Sequence, residues 1–307
     1  MLYDIIVVGG GPAGLTSAIY GARAGKSVLL LERESVGGQI VFSPLVENYP
    51  ALPHVSGAEL AGKMYEQVEA LGVEIVSEEA VKAERRSDGS FLVTTDYGTH
   101  EGRTLILATG VQHRRLGLPG EEELVGAGVS YCAVCDGAFY AGKDVAVVGG
   151  GDTALQDALF LANTCRSVTV VVRRDRFRGE AALARQLGTR RNVTVLFEHR
   201  PVGYDTDDGD LRGLIVEGPE GQRTLRVEGV FLAVGQEPCS AAFAGLAGVD
   251  SAGYFTAGER CRTDVPGLYT AGDCRTKEIR QLTTAVGDGA VAAMAACSDL
   301  DAMDARN

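Results

Sequence analysis

Two glycine-rich loops, each set between an apolar run and a helical pattern, constrain this 307-residue chain more than any other feature. The first is Gly9-Gly10-Gly11-Pro12-Ala13-Gly14. It follows the apolar run 2–8 and opens a helical pattern lasting to about Ala24; a second apolar run at 27–32 completes a βαβ unit. The second loop is Gly149-Gly150-Gly151-Asp152-Thr153-Ala154. A strand at 144–148 precedes it, a helix over 153–163 follows, and the next strand is expected at 168–172. Two dinucleotide-fold starts in one chain predict a duplicated α/β architecture, not a short solenoid repeat, and the length suits two domains.

The end of the second strand differs between the two units. In the first, Gly9 permits a tight turn, Gly11 lets the backbone approach a pyrophosphate, and Gly14 allows close helix–strand packing. The helix N-terminus then faces the phosphates. Glu32, 18 residues after Gly14, can accept hydrogen bonds from the ribose of an adenosine. That predicts FAD rather than FMN. In the second unit Gly149, Gly151 and Ala154 repeat the device, but the ribose position carries Arg173 and Arg174, with Arg178 soon after. Guanidinium groups suit a 2′-phosphate through bidentate charged bonds, which predicts NADPH rather than NADH. A solvated basic loop ahead of a helix near Glu180 is the bland alternative.

Between the loops lies Cys132-Ala133-Val134-Cys135-Asp136. Two thiols at this spacing can close and reopen a disulfide by exchange, and Asp136 can carry the proton. A zinc site would need a second ligand pair; the other five cysteines are scattered and the four histidines lie at no ligand spacing. Cys165, Cys239, Cys261, Cys274 and Cys297 are read as small packing residues.

Elsewhere, Ser56-Gly57-Ala58-Glu59 has the form of a capping box opening a helix to about Leu71. Short strands are expected near 74–77, 81–85, 91–95 and 104–108. Pro119-Gly120 and Gly235-Gln236-Glu237-Pro238 are the expected hinges. The tail from about 240 reads as a return into the first domain, ending in a small-residue helix near 282–297. A net charge of −12 argues against nucleic acid as a partner. No stretch reaches the roughly 18 apolar residues of a membrane span, and the start shows no secretory leader, so a soluble cytoplasmic protein is expected.

In this order the pieces resemble the low-molecular-weight thioredoxin reductases, class II pyridine nucleotide-disulfide oxidoreductases, over essentially the whole chain. The resemblance rests on both glycine loops and on Gly37-Gly38-Gln39, Glu47-Asn48-Tyr49-Pro50, Ala108-Thr109-Gly110 and Pro119-Gly120-Glu121. It also rests on Tyr131 to Gly137, Ala271-Gly272-Asp273 and Arg280-Gln281. It implies two Rossmann-like dinucleotide-binding domains, an FAD domain (1–113 and 240–307) interrupted by an NADPH domain (114–239) that carries the cysteines. It places Gly9, Gly11, Pro12, Ala13, Gly14, Glu32, Gly38, Gln39, Asn48, Thr109, Gly110, Gly272, Asp273, Arg280 and Gln281 around FAD. Gly149, Gly151, Asp152, Thr153, Arg173, Arg174 and Arg178 would hold NADPH. It further implies that Cys135 faces the flavin, that Cys132 attacks a thioredoxin or thioredoxin-like partner, that the NADPH domain swings, and that the protein is a homodimer. One departure stands out: Val172 occupies the place where the family has His before its arginines.

Three rival readings share this sequence. A ferredoxin- or flavin-linked reductase of the same fold would not keep the second glycine loop and the arginines. A dithiol oxidase would not need the arginines. A non-catalytic nucleotide sensor would not need a disulfide-exchange pair beside a proton carrier.

Overall fold

The computed structural model describes residues 1–43 and 45–305. The chain forms two compact units: Met1–Gln112 with the segment from Glu237 onward, and His113–Gln236 between them.

In the first unit the strand Leu2–Val8 runs parallel to Val28–Glu32 on one side and to Thr99–Leu107 on the other. Sheet order continues outward through Glu74–Ser77 at one end and through Phe91–Thr95 and Ala80–Arg85 at the other, and Leu268–Thr270 pairs with Thr99–Leu107. An unbroken apolar strand demands cover on both faces. Ile5 and Val7 pack with Leu15 of the helix Pro12–Arg23 and with Ala292, Ala293 and Ala296 of the helix Leu282–Asp304. Ile6 and Val8 turn the other way, onto Phe91, Leu105, Phe243 and Phe255. The C-terminal segment therefore completes the first unit's core. Its helix lies close enough to the first helix for the Ser17 hydroxyl to donate to the Gly289 carbonyl at 3.0 Å.

In the second unit five parallel strands lie in the order Val193–Phe197, Ser167–Val172, Asp144–Val148, Gly229–Leu232 and Val129–Ser130. The helices Asp152–Leu161 and Ala181–Gly188 belong to this unit, and Leu155, Ala158, Leu161 and Leu187 enter its core. A separate antiparallel sheet, Arg200–Asp207, Asp210–Gly218 and Gly221–Arg226, was not foreseen from the sequence.

Three local readings change. The chain crosses between units at Gln112/His113 and Gln236/Glu237, where the strands Val111–His113 and Gln236–Pro238 pair with each other. Pro119-Gly120 is instead a turn inside the second unit. Gly120 has φ +78° at the start of the helical turn Glu121–Leu124, and the Glu121 carboxylate accepts from the Leu116 and Leu118 amides. At Gly57–Ala70 the Ser56 hydroxyl does cap the helix by accepting from Glu59 N at 3.1 Å, but the Glu59 carboxylate turns to Lys63 at 2.7 Å. The C-terminal helix extends beyond the expected 297, to Asp304. Among the described residues no helix is long and apolar enough to cross a membrane.

Candidate active site

The first glycine loop is built by contact. A Cβ on Gly14 would lie 1.8 Å from the Gly9 carbonyl oxygen, and one on Gly9 would lie 2.4 Å from the Ala108 carbonyl oxygen. Only glycine lets the helix start this close to the strand ends. Pro12 opens the helix, where its missing N–H costs nothing. Glu32 folds back under the loop, accepting from Gly10 N at 2.6 Å and from Glu34 N at 2.9 Å.

Of the other expected cofactor residues of this unit, Thr109, Gly38 and Gly272 approach that loop and the rest contact their own neighbours. A Cβ on Gly9 would be 3.3 Å from Thr109 Cα, with Gly110 next in sequence; one on Gly38 would be 3.2 Å from Gly11 Cα; one on Gly272 would be 2.8 Å from Ala13 Cβ. The Gln39 amide donates to the Val111 carbonyl at 3.1 Å, and Asn48 donates to Gln281 Oε1 at 3.3 Å. Arg280 donates to the carbonyl of Asp273 at 3.1 Å and lies over the Tyr254 ring at 4.0 Å. Two side-chain atoms here, Thr109 Oγ1 and Asp273 Oδ1, are buried with no hydrogen-bond partner among the described residues. Buried polar groups are ordinarily satisfied. Their unmet capacity, beside a cradle that admits no side chain at Gly9, Gly14 or Gly272, fits a polar dinucleotide such as FAD. Burial pushes the Asp273 carboxyl up, opposed by Lys277 and Arg280.

The second loop repeats the construction: a Cβ on Gly149 would meet the Ala233 carbonyl oxygen at 2.3 Å. Gly151 precedes the helix that Asp152 and Thr153 open, and Asp152 Oδ1 accepts from Glu180 N at 2.6 Å. The arginine segment folds back onto this loop, Arg178 N donating to the Gly150 carbonyl at 2.7 Å. Arg173, Arg174 and Arg178 are exposed, and none forms an ion pair with a described residue. Val172 is buried in the core, where a Cβ on Gly150 would lie 2.9 Å from its Cγ1. The missing His thus leaves a packing residue, while the three guanidinium groups stay in solvent.

Cys132 and Cys135 form a disulfide, with their Cα atoms 5.3 Å apart. Cys132 caps the short helix Ala133–Asp136, and its Sγ accepts the Cys135 amide at 3.2 Å. Asp136 is half-buried; burial raises its carboxyl above the ordinary carboxylate range, opposed by a hydrogen bond from the Ser130 hydroxyl at 2.6 Å. Sequence spacing gave no signal for Ser130. The remaining cysteines are unpaired: Cys165, Cys261, Cys274 and Cys297 are buried and Cys239 is half-buried. Burial raises the thiols of Cys165, Cys239, Cys261 and Cys297. Such thiols are poor nucleophiles.

Two dinucleotide folds and one exchangeable dithiol beside a carboxyl define a nucleotide-dependent disulfide oxidoreductase. The profile of the family described as pyridine nucleotide-disulphide oxidoreductase matches residues 3–289. A thioredoxin reductase of Bacillus subtilis (strain 168) is 38% identical over 296 residues, covering 95% of this chain and 93% of that protein. One of Treponema pallidum (strain Nichols) is 40% identical over 311 residues, covering 98% of each. The crystal structure of the thioredoxin reductase from Streptococcus pyogenes MGAS5005 superposes with a TM-score of 0.93 at 39% identity, covering 98% of this chain and 99% of that one. The chain belongs to the pyridine nucleotide-disulphide oxidoreductase family and, within it, to the thioredoxin reductases.

Proposed function

We propose that this protein is an NADPH-dependent thioredoxin-disulfide reductase, and that the Cys132–Cys135 disulfide beside Asp136 carries its chemistry. The unit formed by Met1–Gln112 and the segment from Glu237 holds FAD. Gly9, Gly11, Pro12, Ala13 and Gly14 receive the pyrophosphate, Glu32 the adenosine ribose, and Gly38, Gln39, Asn48, Thr109, Gly110, Gly272, Asp273, Arg280 and Gln281 the rest. The unit His113–Gln236 holds NADPH on Gly149, Gly151, Asp152 and Thr153, with Arg173, Arg174 and Arg178 on the 2′-phosphate. Val172, where the family has His, is buried in the core and offers the phosphate no donor, so the three guanidinium groups carry that contact. FAD, when bound, supplies a two-electron relay between a hydride donor and a disulfide. The reading extends to a cytoplasmic homodimer, an assembly that sedimentation of the purified protein tests.

The protein's own steps follow from thiol chemistry. Two electrons and one proton break the Cys132–Cys135 bond into a thiolate and a thiol. The Cys135 amide aimed at Cys132 Sγ favours negative charge there, so Cys132 is the attacking thiolate. Its sulfur bonds to one sulfur of the partner's disulfide, and the partner's other sulfur leaves as a thiolate that takes a proton. Cys135, deprotonated with Asp136 as acceptor, then attacks Cys132 Sγ and reforms the disulfide; the partner's second sulfur leaves as a thiolate and takes the proton back from Asp136, completing the dithiol.

The test is mass spectrometry of single mutants incubated with oxidised thioredoxin. Cys135→Ser should accumulate a mixed disulfide on Cys132, since the resolving thiol is gone. Cys132→Ser should keep flavin reduction by NADPH, lose turnover and trap no adduct. An adduct on Cys135 in the Cys132→Ser protein reverses the roles, and full activity in both mutants ends the proposal.

A further inference from the structure

We infer that Ser130 is a positioning residue for the disulfide exchange, its hydroxyl tying the Asp136 carboxylate to the backbone of the attacking Cys132. The inference rests on the reductase reading above. Ser130 ends the short strand Val129–Ser130 and is buried, 4% exposed. Its Oγ donates to Asp136 Oδ2 at 2.6 Å and accepts from Cys132 N at 3.1 Å. A hydroxyl has one proton to donate and lone pairs to accept, so both bonds form together. One oxygen therefore fixes the distance between the proton carrier and the backbone of the nucleophile. The strand that carries it is held in the parallel sheet, where Ser130 pairs with Phe231. That makes the anchor rigid, whereas Asp136 sits at the end of a helix of only four residues.

The Cys132 carbonyl, 3.4 Å from the same oxygen, is a longer alternative acceptor, and the 2.6 Å contact takes the proton to Asp136. From the following turn, the Tyr140 phenol is the titratable group whose ionisation is coupled to Asp136. From the helix Asp152–Leu161, the apolar Phe160 and Leu161 border the adjacent Gly137, and that helix also carries the titratable Asp157, whose carboxyl burial pushes up to about 7. Among the described residues no cation acts on Asp136: burial raises its carboxyl, and the Ser130 hydroxyl alone lowers it. Removing the hydroxyl leaves burial unopposed. The carboxyl then titrates higher, so less carboxylate is present at a given pH to accept the thiol proton.

The experiment is the pH dependence of kcat/KM for oxidised thioredoxin, on flavin-loaded protein. Ser130→Ala should move the acid limb to higher pH by about one unit, the scale of one hydrogen bond to a charged group. Flavin content and the rate of flavin reduction by NADPH should not change. In an Asp136→Asn background the same substitution should shift no limb. Should the alanine protein fail to fold, the matched pair Ser130→Thr and Ser130→Val decides, since only the first keeps the hydroxyl and only the second should shift. A limb that stays in place in Ser130→Ala, or that moves equally in the threonine and valine proteins, overturns the inference. Failure of the reductase reading is separate, because it shows as activity retained in Cys132→Ser and Cys135→Ser.

Discussion

Single side chains near the cysteines respond to pH for reasons that burial makes explicit. His113 stacks on Tyr131, the residue before Cys132, with ring centres 4.6 Å apart and planes 15° from parallel. Gln236 Nε2 lies 3.4 Å from its Nδ1. Burial pushes the imidazole down from 6.5 to about 4. The unfolded ring binds a proton below about 6.5 and the folded ring resists until about 4, so this contribution to stability is complete above that window and drains away as pH falls through it. The loss should approach about 3 kcal/mol at the most. His113→Phe keeps a stacking ring and removes the titration, so denaturant midpoints measured from pH 7 to 4 should fall less steeply than in the unmutated protein. Parallel curves would show that His113 is not the group responsible. His113 and Ser130 share a reason for escaping the sequence reading: their partners are chosen by the fold. Cys132, Cys135 and Asp136 are legible because their chemistry is local, three to four positions apart along one turn.

The same contrast holds for whole elements. The strand–loop–helix starts at 2–24 and 144–163 are legible because glycine spacing and apolar runs are local demands of the backbone. The antiparallel sheet over 200–226 is not, because its strands are half polar and find their apolar cover, Leu211, Leu214 and Val216 against Val171 and Val230, only in three dimensions. The C-terminal helix shows how one element can fix a loop. Asp288, on its buried face, accepts from Gly272 N at 3.0 Å, from Arg275 at 2.6 and 2.8 Å and from Lys277 at 2.9 Å. This single carboxylate pins both ends of the segment that carries Asp273. Asp288→Ala keeps the helix propensity but leaves two enclosed cations uncompensated, which should cost about 3–5 kcal/mol. Denaturation of the purified protein should show the loss, accompanied by a lower flavin-to-protein ratio. An unchanged midpoint with full flavin content would mean that the ion cluster does not hold this loop.

At the scale of the molecule, two units with separate cores imply that each nucleotide stabilises its own unit first. The duplication was legible in the sequence; the hinge expected at Pro119-Gly120 was misplaced, because that pair has the composition of a hinge while the backbone there closes a turn on Glu121. If His113–Gln236 takes the 2′-phosphorylated nucleotide, NADP⁺ at about 100 times its dissociation constant should stabilise that unit by about 2.7 kcal/mol, since it binds the folded form alone. Amide hydrogen exchange reads this unit by unit. Exchange should slow in Asp144–Val148, Asp152–Leu161 and Ser167–Val172, and stay unchanged in Leu2–Val8 and Val28–Glu32. NAD⁺ at the same concentration should have little effect, because it offers the exposed Arg173, Arg174 and Arg178 no 2′-phosphate to bind. Arg173→Ala should weaken NADP⁺ binding about tenfold, which removes about 1.4 kcal/mol of that protection. It should leave the weak response to NAD⁺ as it was. Equal slowing by both nucleotides would remove the arginines from the 2′-phosphate, and slowing confined to the first unit would reverse the assignment of the two folds.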